Sequence, residues 1–370
     1  MGLTHPADLR AWHRWQARRN LPRTLKTAAA RGLRRVRRIP EPQSRFALHL
    51  RGEAPELLVA LETTGPTQRA ALLEPLTHLP ERDLAVLAPQ EVTEHLPGGP
   101  WRTRELTGQQ LGQAPELRSV RRVLGVGSYL PVGAAADAWR EQRDLPFWVV
   151  QHGLLVPMAP PLPRAAHLLA FSAADAAYWT AGRPDTTAEV VGSQLLWRAG
   201  AAPRDAAEVD DAAPVFLGQL HGAELPRIGL IRSCYAFCRK QGAVYRPHPG
   251  ERDLLSRLVH RWWRRRGIAF DDAGQPLTRL RSPVVSVFST GVLEAAALGL
   301  PAWVHHRRPP AWLRELWGRY GMRPWGGPPT PAPDRPDVEP ARRIAQILTE
   351  DRHPSAPHTI AQQQEEEPTP

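Results

Sequence analysis

The sequence contains very little cysteine and lysine. Cys234 and Cys238 are the only two cysteines in 370 residues, which excludes a disulfide framework and a cysteine-rich metal site. They lie four residues apart in a segment predicted to be helical, and we expect both to be buried thiols in a reducing cytoplasm. Lys26 and Lys240 are the only lysines among 48 basic residues. Together with abundant alanine and proline, this bias indicates GC-rich coding, so the arginine count alone does not indicate a function.

Several common catalytic motifs are also absent. The chain has no G-x-x-x-x-G-K-S/T phosphate loop, no G-x-G-x-x-G after a predicted strand and no G-x-S-x-G nucleophile elbow. The acidic pairs Asp210-Asp211 and Asp271-Asp272 lack the D-x-D spacing of metal–nucleotide sites. We therefore expect neither a metal nor any other cofactor.

Long apolar runs are missing as well. Residues 1–40 contain no apolar core of a signal peptide. The longest uncharged run, Leu145–Pro163, contains five prolines and is not predicted to form a membrane helix. We expect a cytoplasmic protein, attached at most to the inner face of the cell membrane.

The positive charge is concentrated at one end of the chain. Residues 1–50 hold twelve Lys or Arg and two acids, so nearly all of the net charge of +11 lies there. The rest of the chain is close to neutral, which makes nucleic acid an unlikely partner. Within residues 9–39 an apolar helical face (Leu25, Ala29, Leu33, Val36) lies among arginines. This segment is predicted either to bind an anionic membrane surface or to be a solvated tail.

The remaining sequence alternates between short apolar runs and helical segments. Runs at 57–62, 83–89, 123–129, 147–153, 168–172 and 188–192 predict strands covered on both faces. An Ala/Pro/Asp-rich stretch at 198–214 predicts a linker, after which the alternation restarts. We predict an α/β fold with two Rossmann-like, doubly wound domains facing across a cleft. The boundaries are a basic segment at 1–45, domains at 46–200 and 201–350, and a disordered tail at 351–370.

Polar residues follow the apolar strands at several points, where α/β sheets bind ligands. The run "FWVVQHG" ends in His152, which is predicted to be a general base because an imidazole with a pKa near 6.5 can remove a proton at neutral pH. Glu62, after the first predicted strand, is a second candidate for the base or for an acceptor contact. Both residues could equally be polar loop residues without a catalytic role.

The stretch "YRPHPGERD" places one histidine between two prolines. Pro247 and Pro249 restrict the backbone on either side of His248, so the imidazole is held at the strand end with little entropy to lose. Together with Arg246 it suits a pyrophosphate, because one group donates a hydrogen bond and the other supplies charge. The alternative is an ordinary turn histidine beside a surface arginine.

A third strand end, "VVSVFSTGVLE", leads directly into a helix. Ser289, Thr290 and Gly291 would bring hydroxyls and free N–H groups to one point at the positive end of the helix dipole. Glu294, one turn into the helix, could reach ribose hydroxyls. Alternatively, the serine or threonine only caps the helix, and the glutamate only favours its dipole.

The order and spacing of "VVQHGLL", "RPHPGE" and "VFSTGVLEAAALGLP" resemble the His-Gly, His-Pro and Ser-Ser/Thr motifs of GT-B glycosyltransferases. The resemblance is to bacterial polysialyltransferases and CDP-glycerol glycerophosphotransferases of capsule and teichoic-acid synthesis, and it covers roughly residues 145–305. It implies an inverting, metal-independent transferase that takes a CMP-, CDP- or UDP-linked donor and a glycan or lipid-linked acceptor.

The same resemblance implies a role for each matching residue. His152 would activate the acceptor, Arg246 and His248 would stabilise the leaving nucleotide, Ser289 and Thr290 would hold donor phosphate, and Glu294 would bind ribose. Two features depart from the pattern: Thr290 replaces a second serine, and no Thr-Pro-Leu-Lys follows the His-Gly pair.

Two other functions are compatible with the sequence. One is a sugar-nucleotide epimerase resembling the non-hydrolysing 2-epimerases, although those enzymes use several carboxylates around the hexose. The other is a non-enzymatic scaffold that binds lipid or nucleic acid through residues 9–39.

Overall fold

The computed structural model describes residues 2–19, 44–201 and 212–350. The predicted apolar face at Leu25–Val36, most of the predicted linker and the predicted disordered tail at 351–370 lie outside these residues.

The first unit is built on an eight-stranded mixed sheet. Its strand order is β4-β1-β3-β2-β5-β6-β7-β8. From β3 to β8 all pairings are parallel, whereas β1 runs antiparallel to both β3 and β4. The strands are β1 (Arg45–Arg51), β2 (Leu57–Ala60), β3 (Leu84–Ala88), β4 (Arg102–Thr107), β5 (Arg122–Gly125), β6 (Phe147–Val150), β7 (Ala166–Ala170) and β8 (Thr187–Val190).

The two antiparallel strands are the elements that the sequence pattern does not reveal. β1 carries His49 and Arg51 inside the sheet, so its apolar run is interrupted although both side chains are buried. β4 is an edge strand whose first four residues are exposed, and its sequence "RTRELT" is almost entirely polar. Edge strands need only one paired side, so they tolerate charges that a central strand would exclude.

The second unit contains a four-stranded sheet in the order β10-β9-β11-β12, with all pairings parallel. Its strands are short: β9 (Val215–Leu217), β10 (Val244–Arg246), β11 (Val284–Ser286) and β12 (Ala302–Val304). The apolar stretch Ile268–Phe270 forms an isolated bridge from Phe270 to Tyr245. The predicted fold class, two α/β units facing across a cleft, is confirmed by this topology and by a cavity that both units line.

Helices connect the strands and cover the sheets. Several begin where the sequence offers a capping side chain, as at Asp253, whose carboxylate accepts the backbone N–H of Ser256 at 3.1 Å. The helices are α1 (Leu9–Arg19), α2 (Pro66–Gln68, continuing in π and 3₁₀ turns to His78), α3 (Gly108–Gln113), α4 (Pro131–Glu141), α5 (Ala173–Thr180), α6 (Gln194–Ala199), α7 (Arg227–Gln241), α8 (Leu254–Arg265), α9 (Thr290–Ala297), α10 (Ala311–Arg319) and α11 (Pro340–Thr349). None of the helices in the described part of the chain is long and apolar enough to cross a membrane.

The chain returns to the first unit at its end. Ile344 and Ile347 of α11 join the apolar cluster on one face of the eight-stranded sheet, beside Leu72 and Leu76. The cluster on the opposite face of that sheet continues into the second unit. In that unit Cys234 and Cys238 are buried free thiols on α7, as predicted. The two units therefore share apolar packing as well as chain connections.

Candidate active site

The loop after β6 is held by buried polar contacts. Gln151 is 1% exposed. Its side-chain nitrogen donates to the Gly153 carbonyl at 3.0 Å and to Asp175 Oδ2 at 3.1 Å, and its oxygen accepts the Phe171 N–H at 2.9 Å. We call residues 151–155 the base loop, after the role that the sequence predicts for His152. The glutamine fixes the backbone on both sides of His152, whose own side chain is not needed to hold the loop.

His152 lines the cavity between the two units. Its Nδ1 is buried and has no hydrogen-bond partner among the residues that the structure describes. Burial lowers the pKa of His152 to about 4, so the imidazole is neutral at pH 7 and can accept a proton. A buried, unpaired ring nitrogen is costly unless something else binds there.

His248, unlike His152, has a hydrogen-bond partner and a stacked ring neighbour. Its Nδ1 accepts the N–H of Gly250 at 3.0 Å, and its ring stacks on His221 with a centroid distance of 3.8 Å. Because Nδ1 accepts a hydrogen bond, the neutral imidazole must carry its proton on Nε2. Burial lowers the pKa of His248, which keeps the ring in this neutral form. His248 is therefore a fixed hydrogen-bond donor.

Glu251 holds the second loop, residues 246–251, which we call the phosphate loop after the role that the sequence predicts for Arg246 and His248. It is 5% exposed and accepts the N–H of Leu220 at 2.9 Å, the hydroxyl of Tyr245 at 3.0 Å and Nε2 of His260 at 2.9 Å. These bonds tie the end of β10 to the loop after β9. The glutamate in "RPHPGE" is thus the internal support of the loop that carries His248.

Arg246 and Glu294 lie in the same region of the second unit. The Arg246 guanidinium donates to the Gln275 carbonyl and pairs with Asp271 Oδ2 at 3.8 Å. Burial raises the pKa of Glu294 to about 7, against the opposing influence of Arg198 and Arg246. Near neutral pH the Glu294 carboxyl is therefore present in both forms: the protonated form can donate a hydrogen bond, and the ionised form can only accept.

The predicted anion site at the start of α9 is partly occupied by its own cap. Ser289 Oγ accepts the N–H of Gly291 at 3.1 Å, so this hydroxyl and this N–H satisfy each other. A Cβ on Gly291 would lie 2.7 Å from Leu217 Cδ1, which accounts for the glycine by packing. Thr290 faces the other unit, because a Cβ on Gly153 would lie 3.9 Å from Thr290 Oγ1.

Glu62 lies just after β2 in the first unit. Its Oε1 accepts the N–H of Gly133 at 2.7 Å, at the first turn of α4. Burial raises the pKa of Glu62, and the residue is not among those that line the cavity at His152. A carboxylate that accepts from a helix N-terminus is a common structural arrangement.

The cavity at His152 has a volume of about 410 Å³. Besides His152 and Gly153 of the first unit it is lined by Gln219, His221, Glu224 and Phe288 of the second, and by Trp12, Trp15 and Gln16 of α1. Among the predicted residues, Arg246, His248, Ser289, Thr290 and Glu294 do not line it directly. His248 adjoins it through the stacked His221, and Thr290 through Gly153.

Sequence reasoning missed several residues of this site. Gln219 and His221 follow β9 in "FLGQLHG", the same strand-end pattern that singled out the other motifs. Glu224 has a pKa that burial raises. Trp12 and Trp15 lie far from the other cavity residues in the sequence, and no local sequence pattern indicates that they line a cleft.

No described group of three or more His, Cys, Asp or Glu side chains is arranged to hold a metal ion. The side chains nearest the cavity are hydrogen-bond donors, acceptors and aromatic rings. They can bind anions, hydroxyl groups and planar or apolar surfaces, and His152 can take up a proton.

No protein-family model matches the chain, and no curated protein matches it significantly in sequence. Three solved structures are similar in fold. A UDP-GlcNAc 2-epimerase from Methanocaldococcus jannaschii has 10% identity and a TM-score of 0.45, over 79% of this chain and 99% of that one. The Anabaena protein HepE, solved with UDP and glucose, has 14% identity and a TM-score of 0.44, over 80% and 89%.

The third is an O-GlcNAc transferase mutant from Thermobaculum terrenum, with 14% identity and a TM-score of 0.37, over 81% of this chain and 61% of that one. At these identities the similarity concerns the fold alone.

Proposed function

We propose that the protein is an inverting, metal-independent glycosyltransferase or glycerophosphotransferase that uses a nucleotide-activated donor in cell-surface polysaccharide assembly. The observation that supports it is the approach of two loops across the cleft. The His152-Gly153 turn of the first unit lies against Thr290 of the second. The candidate proton acceptor thus lies near the Thr290 hydroxyl of the opposite unit, and a base placed opposite a hydrogen-bond donor suits a single-displacement transfer.

The acceptor hydroxyl is activated by His152. The imidazole takes the hydroxyl proton while the oxygen forms a bond to the sugar carbon, or to phosphorus in the glycerophosphoryl case. The bond from that atom to the leaving phosphate oxygen breaks, and its electron pair leaves with the nucleotide. The anionic donor opposite raises the pKa of His152 above its value of about 4 in the ligand-free protein, which makes it a better base when substrate is bound.

The donor is bound by the second unit. His248 Nε2–H and the Thr290 hydroxyl donate to the phosphates, and Arg246 neutralises charge. Glu294, whose pKa is raised to about 7 by burial, contacts the ribose hydroxyls. The donor is a CMP-, CDP- or UDP-linked sugar or glycerol, and no metal is needed because these groups supply the positive charge and the donors.

The acceptor, a glycan or a lipid-linked glycan, occupies the cavity between His152 and α1. Trp15 of α1 is half-buried and lines this cavity, and Gln16 and Glu224 supply polar groups there. The epimerase alternative requires several carboxylates around the hexose, whereas among the described residues Glu224 is the one acidic side chain that lines the cavity. This difference favours transfer over epimerisation.

The first test is a thermal-shift screen of the protein against CMP, CDP, UDP, GDP and ADP without metal. A ligand that binds only the folded state stabilises it by about 2.7 kcal/mol at a hundredfold excess over Kd. We expect a selective shift with one or more pyrimidine nucleotides, and its selectivity identifies the donor class. The absence of any shift would contradict the proposal and favour the scaffold alternative.

Two substitutions then separate donor binding from chemistry. His248→Ala is expected to remove the nucleotide shift, because the Nε2–H donor is lost. His152→Ala is expected to keep the shift and to lower turnover by a factor of about 10²–10⁴, the usual contribution of a general base. His95→Ala, at a histidine outside the cavity, is the matched control and should change neither quantity.

A further inference from the structure

The base loop is held from the opposite unit as well as from its own. Tyr320, directly after α10, donates its hydroxyl proton to Asp175 Oδ1 at 2.6 Å and accepts the N–H of Leu155 at 2.9 Å. Arg319 donates to the carbonyl of the same Leu155. Both backbone polar groups of a single base-loop residue are therefore bonded by side chains of the second unit.

These contacts continue to the turn that carries His152. Asp175 is completely buried, and its second oxygen accepts from Gln151, whose same nitrogen also donates to the Gly153 carbonyl. An unbroken chain of hydrogen bonds thus runs from Tyr320 through Asp175 and Gln151 to both sides of His152.

Tyr320 and Arg319 belong to the second unit by their packing. Trp317 of α10 donates its indole N–H to the Val287 carbonyl, after β11, at 2.7 Å. Leu313 and Leu316 are buried on the same helix. Asp175, Gln151 and Leu155 belong to the first unit, so the chain of bonds crosses the cleft.

We propose that Tyr320 is a positioning residue that sets the base loop, and with it His152, from the opposite unit. This inference rests on the proposed function for its kinetic consequences. Without the Tyr320 hydroxyl, Asp175 and the N–H of Leu155 lose a partner in the second unit, and the Gln151 side chain that binds both Asp175 and Gly153 is held less firmly. His152 then spends less time in the position from which it takes the acceptor proton.

The variant Tyr320→Phe tests this, since it keeps the aromatic ring and removes only the hydroxyl. We expect turnover to fall by about tenfold to a hundredfold, with the donor KM and the nucleotide thermal shift within about twofold of the wild type. Tyr235→Phe is the matched control, because it removes a tyrosine hydroxyl on α7 of the same unit, where the ring stacks on Trp262. It should leave turnover unchanged.

A double variant distinguishes positioning from a general loss of structure. If Tyr320 acts through His152, then Tyr320→Phe added to His152→Ala lowers the residual turnover by less than about twofold. An equal loss of turnover in both backgrounds would overturn the inference.

A second measurement does not depend on turnover. In protein labelled at histidine, the His152 side-chain resonance is identified by its absence in His152→Ala. It is expected to shift in Tyr320→Phe and not in Tyr235→Phe. An unchanged resonance in Tyr320→Phe would refute the coupling, whereas a shifted resonance in a protein that binds no nucleotide would retain the coupling and refute the proposed function.

Discussion

The base loop and the phosphate loop both follow a parallel strand and both present a histidine, but they are supported differently. The phosphate loop is held inside its own unit by Glu251, and His248 is fixed as a donor by Gly250. The base loop depends on Tyr320 of the other unit, and His152 Nδ1 has no partner among the described residues. We therefore expect the second unit to form the proposed donor site alone, whereas the proposed base is placed by contacts from both units.

The largest expected effect comes from disturbing the internal support of the phosphate loop. A Cβ on Gly218 would lie 2.4 Å from the Tyr245 hydroxyl and 2.6 Å from Glu251 Oε1. Both groups are buried and cannot move without breaking their hydrogen bonds. Gly218→Ala should therefore lower the free energy of unfolding by about 3 kcal/mol or more and weaken nucleotide binding.

Gly229→Ala is the matched control for that measurement by urea unfolding. Gly229 lies within α7 and has open space around its Cβ position. Its replacement should raise the stability by up to about 1 kcal/mol, because alanine is the better helix former. Equal effects of the two substitutions would contradict the support that we assign to Glu251.

The next effect distinguishes His152 in the base loop from Glu294 on α9 by the sign of its pH dependence. His152 has a pKa lowered from 6.5 to about 4 by burial, so below pH 6.5 the unfolded chain binds more protons, and this group adds stability as pH rises from 4 to 6.5. Glu294 has a pKa raised from 4.5 to about 7. The folded protein then binds more protons between these values, and this group removes stability as pH rises from 4.5 to 7.

Each contribution amounts to about 2 kcal/mol between pH 5 and pH 7. Glu294→Gln should therefore make the stability increase more steeply from pH 5 to pH 7 than in the wild type, whereas His152→Gln should make it increase less. Urea unfolding at the two pH values measures both slopes. A change of the same sign in both variants would show that the two groups are not placed as described.

The smallest effect concerns the acceptor side of the cavity. Trp12 anchors α1, with its indole N–H donating to the Met158 carbonyl at 2.8 Å and its ring edge to face with Tyr129. Trp15 lies on the same side of the helix and lines the cavity. Trp15→Ala should raise the acceptor KM by about tenfold, close to 1.4 kcal/mol, and leave the nucleotide shift unchanged.

His13→Ala, on the exposed side of α1, is the control for Trp15. If α1 served only to attach the protein to anionic membranes, both variants would keep the wild-type acceptor KM in detergent-free solution, and only binding to anionic vesicles would change.

Most strands that the sequence predicted correctly, such as β3 and β6, have apolar runs buried on both faces. The run at 188–192 also forms a strand, β8, but the prediction that both its faces are covered was wrong, because β8 lies at the sheet edge and is partly exposed. β1 and β4 escaped prediction because tertiary contacts satisfy their polar residues: Arg51 donates to the Leu79 carbonyl, and His49 contacts the Thr103 hydroxyl at 2.9 Å. The role of Glu62 depended on a similar long-range contact, since its partner Gly133 lies on a helix that local pattern does not connect to it.

The sequence by itself determined the two α/β units, the buried thiols and the strand ends at which His152, His248 and Thr290 lie, because periodicity and proline or glycine spacing are local properties. Only the tertiary structure decided that His248 donates through Nε2, that Gly153 meets Thr290, that α1 lines the cavity and that Tyr320 holds the base loop. The contacts of Gly153, α1 and Tyr320 join groups that are distant in sequence, so they exist only once the chain has folded. The bond from Gly250 to His248 is local, but the loop that makes it is held by the buried Glu251 through residues of other elements.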